Sequence, residues 1–366
     1  KARVMTDLFT PLELDHGPAM KNRFMLAPLT NSQSHADGTL SDDEFGWLTR
    51  RAEGGFGLTM TCAAAVSPHG IGFPGQLGIY DDRHLEGLSR LADAINAQGS
   101  HSVVQLHNAG MRSPRDLIGH APECPSDNEE FGAQAMSGDD VKRLRDEFIT
   151  AAKRADAAGF HGVELHGAHG YILCQFLSPE INLREDAYGG DLENRARILF
   201  ELVEAIRAEC RSDFSLGVRL SPERFGLRLG EIRTVAQRLM HEGEIDYLDM
   251  SLWDVFKTPE EADYKDKPLL EWFTELERGS VRLGAAGKIK TGAAAREALQ
   301  RGLDFVVIGR GAILHHDFPE RVAADADFTP VPLPVSEAHL RAEGLGDAFI
   351  GYMRGWKGFV EDSDAA

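Results

Sequence analysis

Cysteine is sparse: Cys62, Cys124, Cys174 and Cys210 are the only four in 366 residues. No two of them form a CxxC pair, so neither zinc nor an iron–sulfur cluster finds a ligand template. So few thiols in so long a chain make no disulfide scaffold, and the expected compartment is a reducing cytoplasm. Long apolar runs are also missing. No stretch suffices to cross a bilayer, and Lys1 to Asp7 lack the apolar core of a secretory signal, so no membrane partner is expected. Positive charge is in short supply: 39 Lys and Arg face 58 Asp and Glu, a formal net charge of −19. Such a surface repels phosphate backbones, which argues against nucleic acid as a partner. There is no Gly-, Ser- or Pro-rich linker and no low-complexity tract. A single domain over 1–366 is expected, with a C-terminal tail from about residue 330.

What is present is a rhythm. Hydrophobic residues make up 42% of the chain, enough for a sizeable core. Short apolar runs alternate with longer amphipathic stretches. The strand candidates are Phe24–Ala27, Leu58–Thr61, Ser102–Leu106, Gly162–Leu165, Ser215–Leu220, Tyr247–Ser251, Val281–Ala286 and Phe305–Ile308. Helix patterns lie between them at Ser41–Glu53, Asp139–Ala158, Leu192–Glu209, Thr234–Glu242, Pro268–Glu277 and Ala293–Arg301. The first opens on Ser41-x-x-Glu44, the pattern of a reciprocal capping box. β-then-α units in this number predict a closed (β/α)8 TIM barrel, with a doubly wound open sheet as the structural alternative. Two segments stand outside the rhythm. Leu8–Leu14 reads as an N-terminal β-hairpin before the first strand. Arg112–Asp127, rich in Pro, Ser and Asp, reads as a lid loop after the third.

Barrel chemistry belongs where strands end and βα loops begin. The fourth strand runs into Glu164-Leu165-His166-Gly167-Ala168-His169-Gly170-Tyr171. Neutral imidazoles there can donate to a carbonyl or nitro oxygen, and a phenol can deliver a proton. On spacing alone, a zinc pair or ordinary core histidines explain His166 and His169 as well. The third strand ends in Gln105-Leu106-His107-Asn108 and the fifth in Gly217-Val218-Arg219-Leu220. These place an amide and a fixed cation at the mouth, although a buried arginine more often pairs with a carboxylate. The last two strands carry Gly287-Lys288-Ile289-Lys290 and Gly309-Arg310-Gly311. Loops after strands seven and eight are the usual phosphate site of this barrel, with plain turns as the alternative.

Taken together, these segments resemble the Old Yellow Enzyme family of FMN-dependent ene-reductases, from Leu8 to about Val322. The resemblance rests on Leu8-Phe9-Thr10-Pro11-Leu12, on Ala27-Pro28-Leu29-Thr30, and above all on Glu164-x-His166-x-Ala168-His169-Gly170-Tyr171. It continues through Phe176-Leu177-Ser178-Pro179 and Asn182-x-Arg184-x-Asp186-x-Tyr188-Gly189-Gly190. It implies that Ala27, Pro28, Leu29, Thr30 and Ala63 line the flavin, with Thr30 bonding its O4. Gln105 and Arg219 would meet its pyrimidine edge, and Gly287, Lys288, Gly309 and Arg310 its phosphate. His166 and His169 would grip the substrate's activating oxygen, with Tyr171 as proton donor. The implied cofactor is FMN, with NADPH or NADH as electron donor and an electron-poor alkene as substrate.

Departures from the family pattern qualify this. Larger relatives such as dienoyl-CoA reductases carry an iron–sulfur cysteine cluster, and no cysteine follows Cys210 here. Another bacterial branch has a cysteine at the position of Thr30 and a tyrosine near Ser32, which implies a different flavin potential and pocket. The run Tyr352-Met353-Arg354-Gly355-Trp356 is similar to that branch's tail, implying a homodimer or higher oligomer in which Arg354 enters a neighbouring subunit's site. The alternative is a tail helix packed on its own barrel, burying Tyr352, Trp356 and Phe359. Three other functions stay open: oxidation of an amine at the same site, another FMN barrel chemistry, and a non-catalytic flavin-binding protein. Neither the physiological alkene nor the choice of nucleotide is legible.

Overall fold

The computed structural model describes residues 7–362; the outermost residues of the expected domain lie outside them. Eight parallel strands close into a barrel: β1 Phe24–Leu26, β2 Leu58–Ala65, β3 His101–His107, β4 Gly162–Gly167, β5 Ser215–Leu220, β6 Tyr247–Ser251, β7 Arg282–Ala286 and β8 Phe305–Ile308. The last strand returns to the first, with Phe24 opposite Val306 and Leu26 opposite Ile308. The expected barrel is therefore the observed fold, and the open sheet is excluded.

The strands are buried on both faces, which is why they read as continuous apolar runs rather than alternations. Amphipathic helices such as Asp42–Glu53, Gly138–Ala158 and Leu192–Glu209 turn Leu48, Phe148 and Leu199 onto that barrel. A register shift between Met60 and Ala63 on β2 puts Ala63 opposite Gln105. At this bulge Thr61 Oγ1 accepts the Gln105 amide at 3.2 Å, so the strand end is re-aimed without an orphaned donor.

Several expectations need correction. The N-terminal hairpin is a single antiparallel bridge, Leu12 to Met20. The pattern over Pro268–Glu277 shrinks to the one-turn helix Glu271–Thr274. Upstream, the amides of Leu269 and Leu270 are used by Lys257 and Val255 carbonyls instead. The capping box at Ser41 is half made. Ser41 Oγ accepts from the Glu44 amide, but the Glu44 carboxylate turns inward to Ser34, Asn31 and Cys62.

The presumed lid loop is largely ordered. It holds a helical turn at Arg115–Ile118 and the short strand Glu123–Cys124, which pairs with Gln134–Ala135 beyond the loop. The tail helix Asp347–Arg354 packs on its own barrel through Phe349, whose ring meets Trp47 edge-on at 4.7 Å. Phe359 is buried as the packing alternative expected, but Tyr352 and Trp356 are exposed.

Candidate active site

Every non-glycine residue with left-handed backbone among those described lies in a βα loop. Ser32 follows β1, His169 follows β4, Arg224 and Phe225 follow β5, Trp253 follows β6 and Lys288 follows β7. Such conformations persist only where surrounding contacts impose them, and they gather at functional sites. The mouth at the C-terminal ends of the strands is the place to look.

His166 and His169 lie side by side there, ring centroids 5.1 Å apart, with Tyr171 5.1 Å from His166. The Ala168 amide donates to His166 Nδ1 at 3.3 Å, which leaves the His166 proton on Nε2. His169 Nε2 lies 2.7 Å from Ser251 Oγ, and its amide donates to Ser221 Oγ. Burial holds both imidazoles well below the ordinary histidine range. For His166 the neighbouring His169, His107 and Arg219 add to this; for His169, Arg219, Arg112 and His107 do. Both rings are thus neutral at physiological pH, donors rather than acids.

The Arg112 guanidinium covers the Tyr171 ring at 4.5 Å and also donates to the His169 carbonyl, tying the loop after β3 over the mouth. His107 packs edge-on against Tyr171 at 4.3 Å. Its Nδ1 accepts from Gln76 Nε2 at 3.0 Å, since Gln76 Oε1 is taken by the Gly72 amide.

Gln105 lies opposite Glu164, two residues below His166, and Arg219 lies opposite His166 itself. Gln105 Nε2 donates to Glu164 Oε1 at 2.8 Å, and Arg219 Nε lies 3.1 Å from Asp249 Oδ2. Arg219 thus pairs with a carboxylate, as a buried arginine usually does, and is itself buried. Ala27 is buried, while Pro28, Leu29, Thr30 and Ala63 are half-buried at the same rim.

The residues at the ends of β7 and β8 meet those of β1 and β6. A Cβ on Gly309 would touch Leu29 and Ala27 at ordinary contact distance. Gly287 has φ +150°, and a Cβ there would lie 2.8 Å from the Asp254 amide, so no side chain fits. Lys288, Lys290 and Arg310 gather at this corner with Asp254, whose Oδ2 is 3.3 Å from Lys288 Nζ. Burial, then Arg310 and Lys288, lowers the affinity of Lys290 for its proton. Three cations pressed together against one carboxylate are an arrangement that a phosphate dianion would relieve. Glycines that admit close approach, a row of half-buried apolar residues and this cationic corner fit FMN.

Sequence reasoning missed Lys290, Ser251, Gln76 and Asp249 as parts of the site. Lys290 was legible as the second cation of its loop. The others act on residues of different strands, which spacing does not reveal. The groupings close enough to hold a metal among the described residues are His315, His339 and Glu343, and His316, Asp317 and Glu343; neither includes His166 or His169. Arg354 bonds within its own tail, to Glu337 Oε2 at 2.6 Å and the Glu361 carbonyl.

Residues 7–327 match the family model described as NADH:flavin oxidoreductase / NADH oxidase. The chain is 34% identical over 326 residues to the probable NADH-dependent flavin oxidoreductase YqiG of Bacillus subtilis (strain 168), covering 86% of this chain and 87% of that protein. It is 31% identical over 375 residues to the NADH:fumarate oxidoreductase of Klebsiella pneumoniae (strain 342), covering 93% of this chain but 40% of that longer protein. The solved structure of the old yellow enzyme homologue from Zymomonas mobilis matches with a TM-score of 0.79 at 28% identity, over 94% of this chain and 99% of that one.

Proposed function

Because the chain belongs to the NADH:flavin oxidoreductase / NADH oxidase family, the Old Yellow Enzyme-like oxidoreductases that use FMN and NAD(P)H, we propose that it is an ene-reductase. Its substrate class is an alkene activated by a carbonyl or nitro group: an enone, enal, maleimide or nitroalkene. The observation that carries this reading is the pair of neutral, buried imidazoles beside a phenol at one mouth. Bound there, FMN would supply the two-electron hydride chemistry that links NAD(P)H to the β-carbon of the alkene.

The chain's residues do the rest. Ala27, Pro28, Leu29, Thr30 and Ala63 would line the isoalloxazine, Gln105 and Arg219 its pyrimidine edge. Gly287, Lys288, Lys290, Gly309 and Arg310 would hold the phosphate. His166 donates Nε2–H to the activating oxygen and His169 adds a second contact, so electron density is drawn from the conjugated double bond. The tie from Arg112 to the His169 carbonyl fixes the turn that carries both rings. The Tyr171 hydroxyl, or water in its place, protonates the α-carbon.

The name of the Klebsiella relative, a fumarate oxidoreductase, supports C=C reduction as the class. Product analysis tests it. Protein, FMN, NAD(P)H and 2-cyclohexenone under argon are expected to give cyclohexanone. Turnover confined to an N-methyl amine offered with an electron-accepting dye in place of NAD(P)H, yielding aldehyde and demethylated amine, would replace the reading with amine oxidation. The exposed Tyr352 and Trp356 on the tail support a further part of it, a homodimer in which Arg354 reaches the neighbouring subunit's mouth. A strictly monomeric protein by sedimentation would remove that part.

A further inference from the structure

The barrel interior beneath the mouth holds one arginine and two carboxylates whose partners do not balance unless one carboxylate is neutral. Glu164 on β4 and Asp249 on β6 are wholly buried, and Arg219 on β5 nearly so. Strand register explains how they meet. Glu164 is paired with Gly217, and Gly217 with Tyr247. A Cβ on Gly217 would lie 2.1 Å from Tyr247 Cζ. The missing side chain opens the path across β5, so that the Glu164 carboxyl faces Asp249 and lies near the Tyr247 hydroxyl, which itself has no hydrogen-bond partner. One Asp249 oxygen lies beside the Arg219 guanidinium, and one Glu164 oxygen accepts from Gln105. Glu164 Oε2 and Asp249 Oδ1 are then left buried without a donor. Two facing, fully buried anionic carboxylates with a single cation are strongly unfavourable; one proton between them satisfies both oxygens.

We propose that Glu164 and Asp249 hold a single proton, carried on Glu164, and that this pair sets how much positive charge Arg219 presents to the flavin. The second half rests on the reading that Arg219 faces the flavin's pyrimidine edge. The partners decide where the proton sits. Asp249 has the guanidinium at 3.1 Å and is the anion, whereas the hydrogen bond to Glu164 comes from the neutral Gln105 amide and the Arg219 charge acts on it less than Asp249 does. Burial, and then the Asp249 charge, push the Glu164 carboxyl well above the usual range. The consequence is electrostatic. A hydride brings two electrons and one proton, so the flavin gains one negative charge while NAD(P)H leaves as NAD(P)+. Arg219 favours that charge, Asp249 offsets Arg219, and the proton on Glu164 keeps a second anion out of the floor. Glu164 and Asp249 are positioning residues, acting through Arg219.

Two measurements on the FMN-loaded protein test this. Dye-equilibrated reductive titration gives the flavin potential. D249N is expected to favour the reduced flavin at least tenfold, about 30 mV for a two-electron couple. E164Q is expected to stay within about threefold of the parent, because glutamine has the charge and the donor of a protonated glutamate. If E164Q raises the potential as much as D249N, Glu164 is ionised and the proposal fails. Infrared spectroscopy supplies the independent check, and it stands even if D249N does not fold. The parent is expected to show a protonated carboxyl band that is lost in E164Q; a parent without that band overturns the shared proton. With the band present, an unchanged potential in both D249N and the double variant E164Q/D249N, in which no floor carboxylate is left to ionise, would overturn the flavin half by removing Arg219 from the flavin's edge. Neither readout involves an alkene, so failure of the ene-reductase reading shows separately, as absence of turnover.

Discussion

Replacing Tyr171 with Phe keeps the ring that lies under Arg112 and removes only the hydroxyl. General acid catalysis by a placed side chain contributes about 10²- to 10⁴-fold. Tyr171→Phe is therefore expected to slow alkene reduction within that range while leaving flavin reduction by NAD(P)H within a few-fold, as measured by stopped-flow absorbance. Equal loss in both half-reactions would contradict the proton-donor role.

The imidazoles make a second prediction at this scale. Both are depressed well below the ordinary histidine value of 6.5, so neither gains charge on acidification through neutral pH. Affinity for an enone is expected to stay flat from about pH 8 to about pH 6. A titration near pH 6.5 that disappears in His169→Asn would show that His169 is charged. The local run from Glu164 to Tyr171 made these three residues legible, because one strand end and one turn present them all. Ser251 was not legible, because it reaches His169 across 82 residues of sequence.

Elements were legible where periodicity was long and failed where tertiary contacts took over backbone groups. The helix Leu192–Glu209 lies where its apolar face predicted. At Ser41 the local pattern predicted a reciprocal cap, but Glu44 is completely buried, and burial raises its carboxyl above the ordinary 4.5. The Ser41 half of the cap is real, and Ser41→Ala is expected to cost about 1 kcal/mol in chemical denaturation. An unchanged denaturation midpoint would contradict the cap.

The tail illustrates packing that sequence does not announce. Glu343 accepts from both the amide and the ring of His316, while its carbonyl accepts from buried Arg51. Burial raises the Glu343 carboxyl, but the His316 bonds outweigh it and hold it at about 2, against an ordinary 4.5. A depressed carboxylate stabilises above its unfolded value and loses that contribution as pH falls through the folded one. Docking of the tail is thus expected to weaken between about pH 4.5 and 2. Hydrogen exchange of the helix Asp347–Arg354 would report it, and protection that is constant across this window would contradict it.

Across the whole molecule, eight repeated units made the barrel legible before any contact was known. What the repeat could not reveal is the inside of the barrel, where side chains from separate strands meet in layers. The surface carries a formal charge of −19, yet the corner formed by Lys288, Lys290 and Arg310 is cationic. Removing one of those charges is expected to weaken FMN binding. Lys290→Ala should raise the Kd about tenfold, equivalent to about 1.4 kcal/mol, in a fluorescence titration of the apoprotein. An unchanged Kd would move the phosphate elsewhere.

The most direct test of the central claim is an anaerobic stopped-flow experiment on the FMN-loaded protein, mixed first with NAD(P)H and then with N-methylmaleimide. The account predicts bleaching of the flavin band in the first mix and its return in the second. Bleaching that no activated alkene reverses would contradict it.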